Sequence, residues 1–174
     1  MSDTTTNSPL TGQYRWLQTP LYDTLTIPAA ATATSYQMFG NINGSSGVGL
    51  DTTNMDAQFK LTDTQRFTVR SMRFVVHGVQ ADIDAFQQKY AATLKVAGID
   101  TLLAPVEFWT GGAGSPAGGS NGIGDPRAVA YFDTDPIDIS EGLGLKVQLN
   151  GTSFTPSAAL QVRCYLDGRM GKAA

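Results

Sequence analysis

Three groups of residues in this chain have types and spacing that could do chemistry, and the first is a serine motif. Residues 118–122, GGSNG, match the pattern G-x-S-x-G, in which a tight turn between a strand and a helix exposes a nucleophilic serine, here Ser120. Such a serine needs a histidine as its base, and the only histidine of the chain, His77, lies upstream in the apolar segment VVHG. Because no helical pattern follows Ser120, we expect no catalytic residue.

The same serine lies in a glycine-rich segment that could also hold a phosphate, residues 110–124, TGGAGSPAGGSNGIG. A Walker A loop ends in a lysine that reaches the phosphates, but no lysine occurs between Lys95 and Lys146. A dinucleotide-binding loop would need a helix directly after its glycines, and proline and further glycines follow instead. We therefore expect no cofactor, and predict a long, mobile inter-strand loop at one end of a barrel, which only a neighbouring subunit would order.

The third group is acidic and could bind a metal ion. Asp133, Asp135 and Asp138 lie close together in FDTDPID, and calcium prefers clustered carboxylates in a loop. The spacing and the central glycine of an EF-hand are absent, and Asp-Pro is typical of turns, so we expect a turn and no metal. With one histidine and one cysteine, Cys164, the chain cannot supply a structural zinc site of Cys and His ligands. Cys164 is predicted to be a small core or sheet residue.

Basic residues could bind an anion, but the number of acidic residues favours ion pairs on the surface instead. Arg66, Arg70 and Arg73 lie in one strand region, and Arg163 and Arg169 lie near the C-terminus. With 15 acidic residues available, we expect isolated surface ion pairs. The formal net charge of −3 argues against nucleic acid as a direct partner.

The elements that must position these residues are predicted to be strands. The chain of 174 residues is long enough for one domain, and only 16% of it is charged, below the roughly 25% of an average soluble protein. Short segments of alternating polarity are separated by Gly, Pro and Asp clusters, which indicates a sandwich or barrel. We predict an all-β fold with a flexible N-terminal arm over residues 1–20 and a single β-barrel domain over residues 21–174.

Two local features refine this prediction. In QRFTVRSMRFVVHG the apolar residues change parity near Arg70–Ser71, which predicts a bulge or a bend. The segment ADIDAFQQKYAA predicts one short helix, because Ile83, Phe86 and Tyr90 recur at helical spacing and Asp82 could be the N-cap.

Bulky residues next to the two uncharged segments are candidates for contact with a partner. Tyr14, Trp16 and Leu17 directly follow the Thr-rich arm, where large aromatic side chains need a surface to dock on. Trp109 ends the predicted strand TLLAPVEFW beside the glycine-rich segment. An exposed tryptophan there would anchor a ligand or a partner, and the alternative is a tryptophan that caps the barrel core. We predict a subunit interface formed by Tyr14, Trp16, Leu17 and Trp109.

In size and texture the chain resembles the smaller major capsid protein of tailless, icosahedral, membrane-containing bacteriophages and archaeal viruses that build their shell from two capsid proteins. The resemblance is carried by the loose arm, the aromatic segment YRWLQTPLY, the uncharged loops and the final strand ALQVRCYLDGRM. It implies a single jelly roll of about eight strands and a location in the virion shell. It also implies self-association, pairing with a larger capsid protein and an internal membrane beneath the shell. The N-terminal residues lack the pattern of a secretory signal, which release by lysis would explain.

Two further functions remain open at this point. A carbohydrate- or receptor-binding β-sandwich of a phage fibre or spike would place Trp109, Tyr131 and the run Asp133–Asp138 around a sugar. A hydrolase would use Ser120. We expect a structural protein rather than an enzyme, because no complete catalytic group can be assembled from the sequence.

Overall fold

A computed structural model describes residues 14–109, 130–131 and 135–173. Strands dominate these ranges, which confirms the predicted all-β class. The described elements, in chain order, are β1 Tyr14–Gln18, β2 Leu21–Ile27, β3 Ser35–Met38, β4 Gln65–His77, α1 Gln80–Lys89, β5 Tyr90–Val96, β6 Ile99–Pro105, α2 Val106–Trp109, β7 Ala130–Tyr131, β8 Ile137–Ile139, β9 Leu145–Gly151 and β10 Leu160–Ala173.

The longest strands, β4 and β10, lie side by side at the centre of one antiparallel sheet, sheet A. On the far side of β10 lie β1 and β2, which continue each other in one register: Tyr14 lies opposite Ala173, and Leu21 lies opposite Leu166. On the far side of β4 lie β7 and β8. Sheet A therefore has four strand positions, two of them filled by two short strands each.

The second antiparallel sheet, sheet B, has the order β3-β9-β5-β6. If β1 with β2 and β7 with β8 each count as one position, the described chain has eight positions. Sheet A then reads 1-8-3-6 and sheet B reads 2-7-4-5. Successive positions alternate between the two sheets, except that positions 4 and 5 form a hairpin within sheet B. This order is that of a double-sheet jelly roll. The predicted single jelly roll is confirmed.

The core lies between the two sheets, because strand residues point to opposite faces in turn. In β9, Leu145, Val147 and Leu149 are buried, whereas Lys146 and Gln148 lie on the outer face. In β10 the same alternation buries Leu160, Val162, Cys164 and Leu166. Cys164 is thus a core residue as predicted, and burial raises the pKa of its thiol well above the ordinary range.

The bulge predicted near Arg70–Ser71 is confirmed in β4. Asp167 of β10 lies opposite Ser71, and the next residue, Gly168, lies opposite Val69, so Arg70 is the extra residue. The two strands approach closely there: a Cβ atom on Gly168 would lie 1.9 Å from the carbonyl oxygen of Thr68. Glycine is required at this position by the backbone of the neighbouring strand.

The predicted helix is confirmed as α1, but its predicted start is wrong. Val79 occupies the N-cap position, and Asp82 lies in the first turn. The Asp82 carboxylate accepts hydrogen bonds from the backbone N–H groups of Ser157 at 2.8 Å and Ala158 at 3.2 Å, and from the Ser157 hydroxyl at 2.7 Å. Asp82 therefore ties the helix to the β9–β10 connection instead of capping its own helix.

The end of the predicted strand TLLAPVEFW is also different. Strand β6 ends at Pro105, and residues 106–109 form the helical turn α2. The spacing of Val106 and Trp109 explains the change, because both side chains are buried and residues three positions apart lie on the same face of a helix.

The segment predicted as an arm contains a strand. Residues 14–18 form β1 because they continue the register of β2 along β10. The described strand structure therefore begins at residue 14, not at the predicted domain start at 21, and residues 1–13 lie outside the described part of the chain.

Connections gather at the two ends of the sandwich. At one end, residues 28–34 meet the β9–β10 connection through a hydrogen bond from the Ala30 N–H to the Pro156 carbonyl, 2.9 Å, and α1 joins them through Lys89. At the other end, the β5–β6 turn meets the β8–β9 connection through the Ala97 N–H and the Gly144 carbonyl, 2.8 Å. The predicted loop at 110–124 lies outside the described residues and stays a prediction.

Candidate assembly surfaces

Strand β1 is held on sheet A by a charged cluster made of Tyr14, Arg66 and Glu141. The Tyr14 hydroxyl donates a hydrogen bond to the Glu141 carboxylate, and Arg66 Nε donates to the same oxygen at 2.5 Å. The Arg66 guanidinium also lies 5.0 Å from the centre of the Tyr14 ring. The cluster joins β1, β4 and the β8–β9 turn, so it fixes the position of β1.

The electrostatics of this cluster favour its charged form. The hydrogen bond from Arg66 lowers the pKa of Glu141 from 4.5 to about 2, and the same contact raises the pKa of Arg66. The hydrogen bond to Glu141 raises the pKa of the Tyr14 hydroxyl. At neutral pH the carboxylate is therefore ionised and the phenol keeps its proton, which is the state that this geometry requires.

Three of the four predicted interface residues lie together on β1, and two of them are exposed. Tyr14 is engaged with Glu141, while Trp16 and Leu17 are 52% and 39% exposed. The Trp16 ring covers Gly171 of β10, where an added Cβ atom would lie 3.2 Å from it. Because consecutive strand residues point to opposite faces, Trp16 and Leu17 are exposed on the two faces of sheet A, beside the same edge.

The fourth predicted interface residue, Trp109, does not lie at this edge. Its side chain is 3% exposed, and its indole N–H donates a hydrogen bond to the Ala104 carbonyl at 3.2 Å. The prediction that Trp109 is an exposed anchor is corrected: the tryptophan caps the core, because the helical turn α2 directs it inward.

An apolar surface that the sequence analysis missed lies at the opposite side of the sandwich. Ile99 and Leu103 of β6 are 70% and 68% exposed, and Phe108 of α2 is 56% exposed. The Phe108 ring meets the Trp109 ring edge to face at 4.9 Å. The apolar run LLAPVEFW contains Leu103 and Phe108, but only the edge position of β6 and the turn of α2 show that these two side chains face solvent.

The outer face of sheet A carries a ladder of aromatic and arginine side chains. Arg73 lies 4.4 Å from the ring centre of Tyr165, which lies 5.9 Å from the Tyr22 ring, and Arg163 lies 6.0 Å from that ring. Arg73 also donates a hydrogen bond to Asp167 at 3.1 Å. The ion pairs of Arg66 and Arg73 agree with the predicted surface pairing. Tyrosine and arginine are enriched at the centres of protein interfaces.

The residues considered for chemistry are not assembled into a site in the described structure. His77 is an exposed residue at the end of β4, and Ser120 and Asp133 lie outside the described residues. Asp138 is exposed on β8 and accepts a hydrogen bond from the Thr68 hydroxyl at 2.6 Å. Across the described part of the chain, no three His, Cys, Asp or Glu side chains are grouped to hold a metal ion.

A shallow cavity of about 270 Å³ lies beside sheet B. Lys95 and Lys146 lie directly opposite each other in the pairing of β5 and β9, and Lys95 forms an ion pair with Asp100 at 2.7 Å. The residues that line this cavity are Gln37, Phe59, Lys95, Gly98, Gly144, Leu145 and Lys146.

Comparisons with known proteins do not assign a family. The sequence matches no protein-family model and no curated protein, and the fold matches no solved structure. In the described ranges, neither helix has the length and apolar character needed to cross a bilayer.

Proposed function

We propose that this chain is a structural coat protein that assembles into an icosahedral viral shell. It associates with copies of itself and with a second, larger capsid protein, and its place is the virion shell, above an internal membrane. It acts through protein contacts, without a catalytic site and without direct contact to nucleic acid.

The observation that carries the proposal is the combination of a single jelly roll with exposed Trp16 and Leu17 on an edge strand. A jelly roll alone supports many functions, so the fold by itself decides little. Trp16 and Leu17 point to opposite faces of β1, and both border its open edge, where exposed apolar side chains favour association. The low content of charged residues, 16%, supports extensive burial between subunits, because charged residues are depleted at interface cores.

The first experiment measures the mass of the purified chain across a wide concentration range by mass photometry and sedimentation velocity. Under the proposal, oligomers form as the concentration rises, and electron microscopy of the concentrated sample shows sheets or closed particles. A chain that stays monomeric at every soluble concentration, and does not bind a co-expressed larger coat protein, would refute the proposal.

A second experiment separates the shell from the alternative functions. Mass spectrometry of purified virus particles should place this chain among their most abundant proteins. A stable monomer that binds immobilised glycans would instead favour a fibre-type binding domain, and loss of an esterase activity in S120A would favour a hydrolase.

A further inference from the structure

The free edges of the two sheets point to a specific contact between copies. Edge strands expose N–H and C=O groups that can pair with another chain, and proteins usually block them with short strands, prolines, charges, bulges or covering loops. The described edges of this sandwich differ in which of these blocks they carry.

The β2 part of the sheet A edge is covered by the chain's own loop. The Asn54 N–H donates to the Tyr22 carbonyl at 3.3 Å, and the Tyr22 N–H donates to the Asn54 side chain at 2.9 Å. The Asn54 amide also donates to the Pro20 carbonyl at 2.7 Å, and Asp23 forms a bridge with Thr53. Another strand cannot add here without displacing this loop.

The outer edge of sheet B at β6 is blocked by three other devices. A bulge lies at Thr101, because Leu102 pairs with Leu94 whereas Asp100 pairs with Lys95. Asp100 adds a charge to the edge, and Pro105 ends the strand without an N–H group. The remaining edge strands, β3, β7 and β8, have only two to four residues each.

Apart from one charged residue, Arg15, strand β1 carries none of these blocks. Its five residues, YRWLQ, contain no proline, glycine or lysine, and its pairing with β10 has no bulge. Within the described residues β1 pairs with β10 alone. The Tyr14–Glu141 contact holds β1 on sheet A.

We propose that β1 pairs with β1 of a second copy, antiparallel across a two-fold axis at Trp16. This deepens the proposed self-association and rests on it. Of the registers centred on a residue, this one alone pairs all five residues of β1, with 14 opposite 18 and 15 opposite 17. It places Trp16 opposite Trp16 of the second copy, and aromatic cross-strand pairs stabilise a sheet. It also places Arg15 opposite Leu17 of the second copy, whereas a register centred on Arg15 would bring two arginines together.

The strength of this contact follows from its size. Stable interfaces bury roughly 20–30 residues on each side, and β1 supplies five. The pairing is therefore weak alone and contributes to a shell in which each copy makes several contacts.

The first test is a cross-link at the two-fold axis. Residues directly opposite in antiparallel strands have Cα atoms about 4.5–5.5 Å apart, within the range of a disulfide. Under mild oxidation W16C should form covalent dimers that a reductant separates. The matched control is L103C, because Leu103 is also an apolar edge residue and is more exposed than Trp16; this variant should form no covalent dimers. Cys164 is buried and does not interfere.

The second test uses charge to examine the register. L17K would place a lysine opposite Arg15 of the second copy at two symmetric positions, and should weaken self-association about tenfold or more. L17E would place a carboxylate there and should preserve or strengthen it, and R15E should rescue L17K. L103K is the control, and circular dichroism checks the fold of each variant.

The outcomes distinguish this proposal from the function on which it rests. If the wild-type chain assembles but W16C does not cross-link, or L17K and L17E behave alike, the β1 pairing is overturned and the coat function stands. If the wild-type chain neither self-associates nor binds a co-expressed larger coat protein, both are overturned.

Discussion

At the scale of single residues, one glutamate connects three elements. Glu141 is one of only two glutamates in the chain, and it accepts hydrogen bonds from Tyr14 of β1 and Arg66 of β4. Its side chain is mostly buried, whereas that of Arg66 is about one-third exposed, so solvent screens part of the attraction.

We expect E141Q to remove an acid-dependent part of the stability. The pKa of Glu141 is lowered in the fold from 4.5 to about 2, so the ionised carboxylate stabilises the native state above about pH 4.5. That contribution is lost as the pH falls towards 2. E141Q should be less stable than the wild type by about 1 kcal/mol at pH 7, and the difference should shrink at pH 3. Urea unfolding at several pH values measures it, and a difference independent of pH would contradict the assignment.

Replacing each of the two tryptophans by alanine should affect a different property, stability for Trp109 and self-association for Trp16. We expect W109A to lower the free energy of unfolding by about 3–5 kcal/mol, because a buried aromatic ring leaves a cavity. W16A, at an exposed position, should cost less than about 1 kcal/mol and should instead weaken self-association. Denaturant unfolding and sedimentation measure the two effects. If W109A folds normally but no longer associates, the burial of Trp109 is not its main role.

At the scale of elements, the bulge in β4 depends on one glycine in β10. The parity change around Arg70 was readable in the sequence, because apolar residues on both sides of it must face the same core. The partner of the bulge was not readable, since Gly168 lies 98 residues further along the chain and has no local signal.

We expect G168A to destabilise the fold strongly, by about 2–4 kcal/mol, because its Cβ atom would overlap the backbone of Thr68 at 1.9 Å. The matched control is G144A, whose nearest backbone atom would be 3.8 Å from the new Cβ atom and which should be nearly neutral. Thermal unfolding of both variants measures this, and equal effects would show that the close approach is not decisive.

At the scale of the whole molecule, β1 belongs to the barrel although it lies within the segment predicted as an arm. The strand continues β2 along β10, so its removal would uncover Met170 and Gly171. The segment predicted as an arm therefore includes one strand of the barrel, β1.

We expect a chain that begins at residue 14 to fold and self-associate like the full chain, because it keeps β1. A chain that begins at residue 19 should fold with lower stability and lose self-association. Mass photometry measures the association, and circular dichroism measures the fold. Loss of association in both truncated chains alike would assign it to residues 1–13 instead of to β1.

Local patterns in the sequence determined the fold class, the bulge in β4, the helix α1 and the core position of Cys164. Alternation of side chains with period two and recurrence at helical spacing are properties of a few consecutive residues, so no distant contact is needed to read them. The N-terminal boundary and the end of β6 were misplaced, because the register with β10 and the inward rotation of α2 depend on packing.

The tertiary structure alone decided which apolar residues are free to meet a partner. Trp16 and Trp109 have similar local contexts, a bulky residue beside an uncharged segment, yet one is exposed on an open edge and the other is buried. The difference arises because burial depends on what lies opposite each side chain: Gly171 leaves Trp16 on the surface, whereas α2 directs Trp109 into the core. The block on the β2 edge likewise depends on the contacts of Asn54 with Tyr22 and Pro20. These residues are far apart in the chain, so no local pattern can encode the contacts.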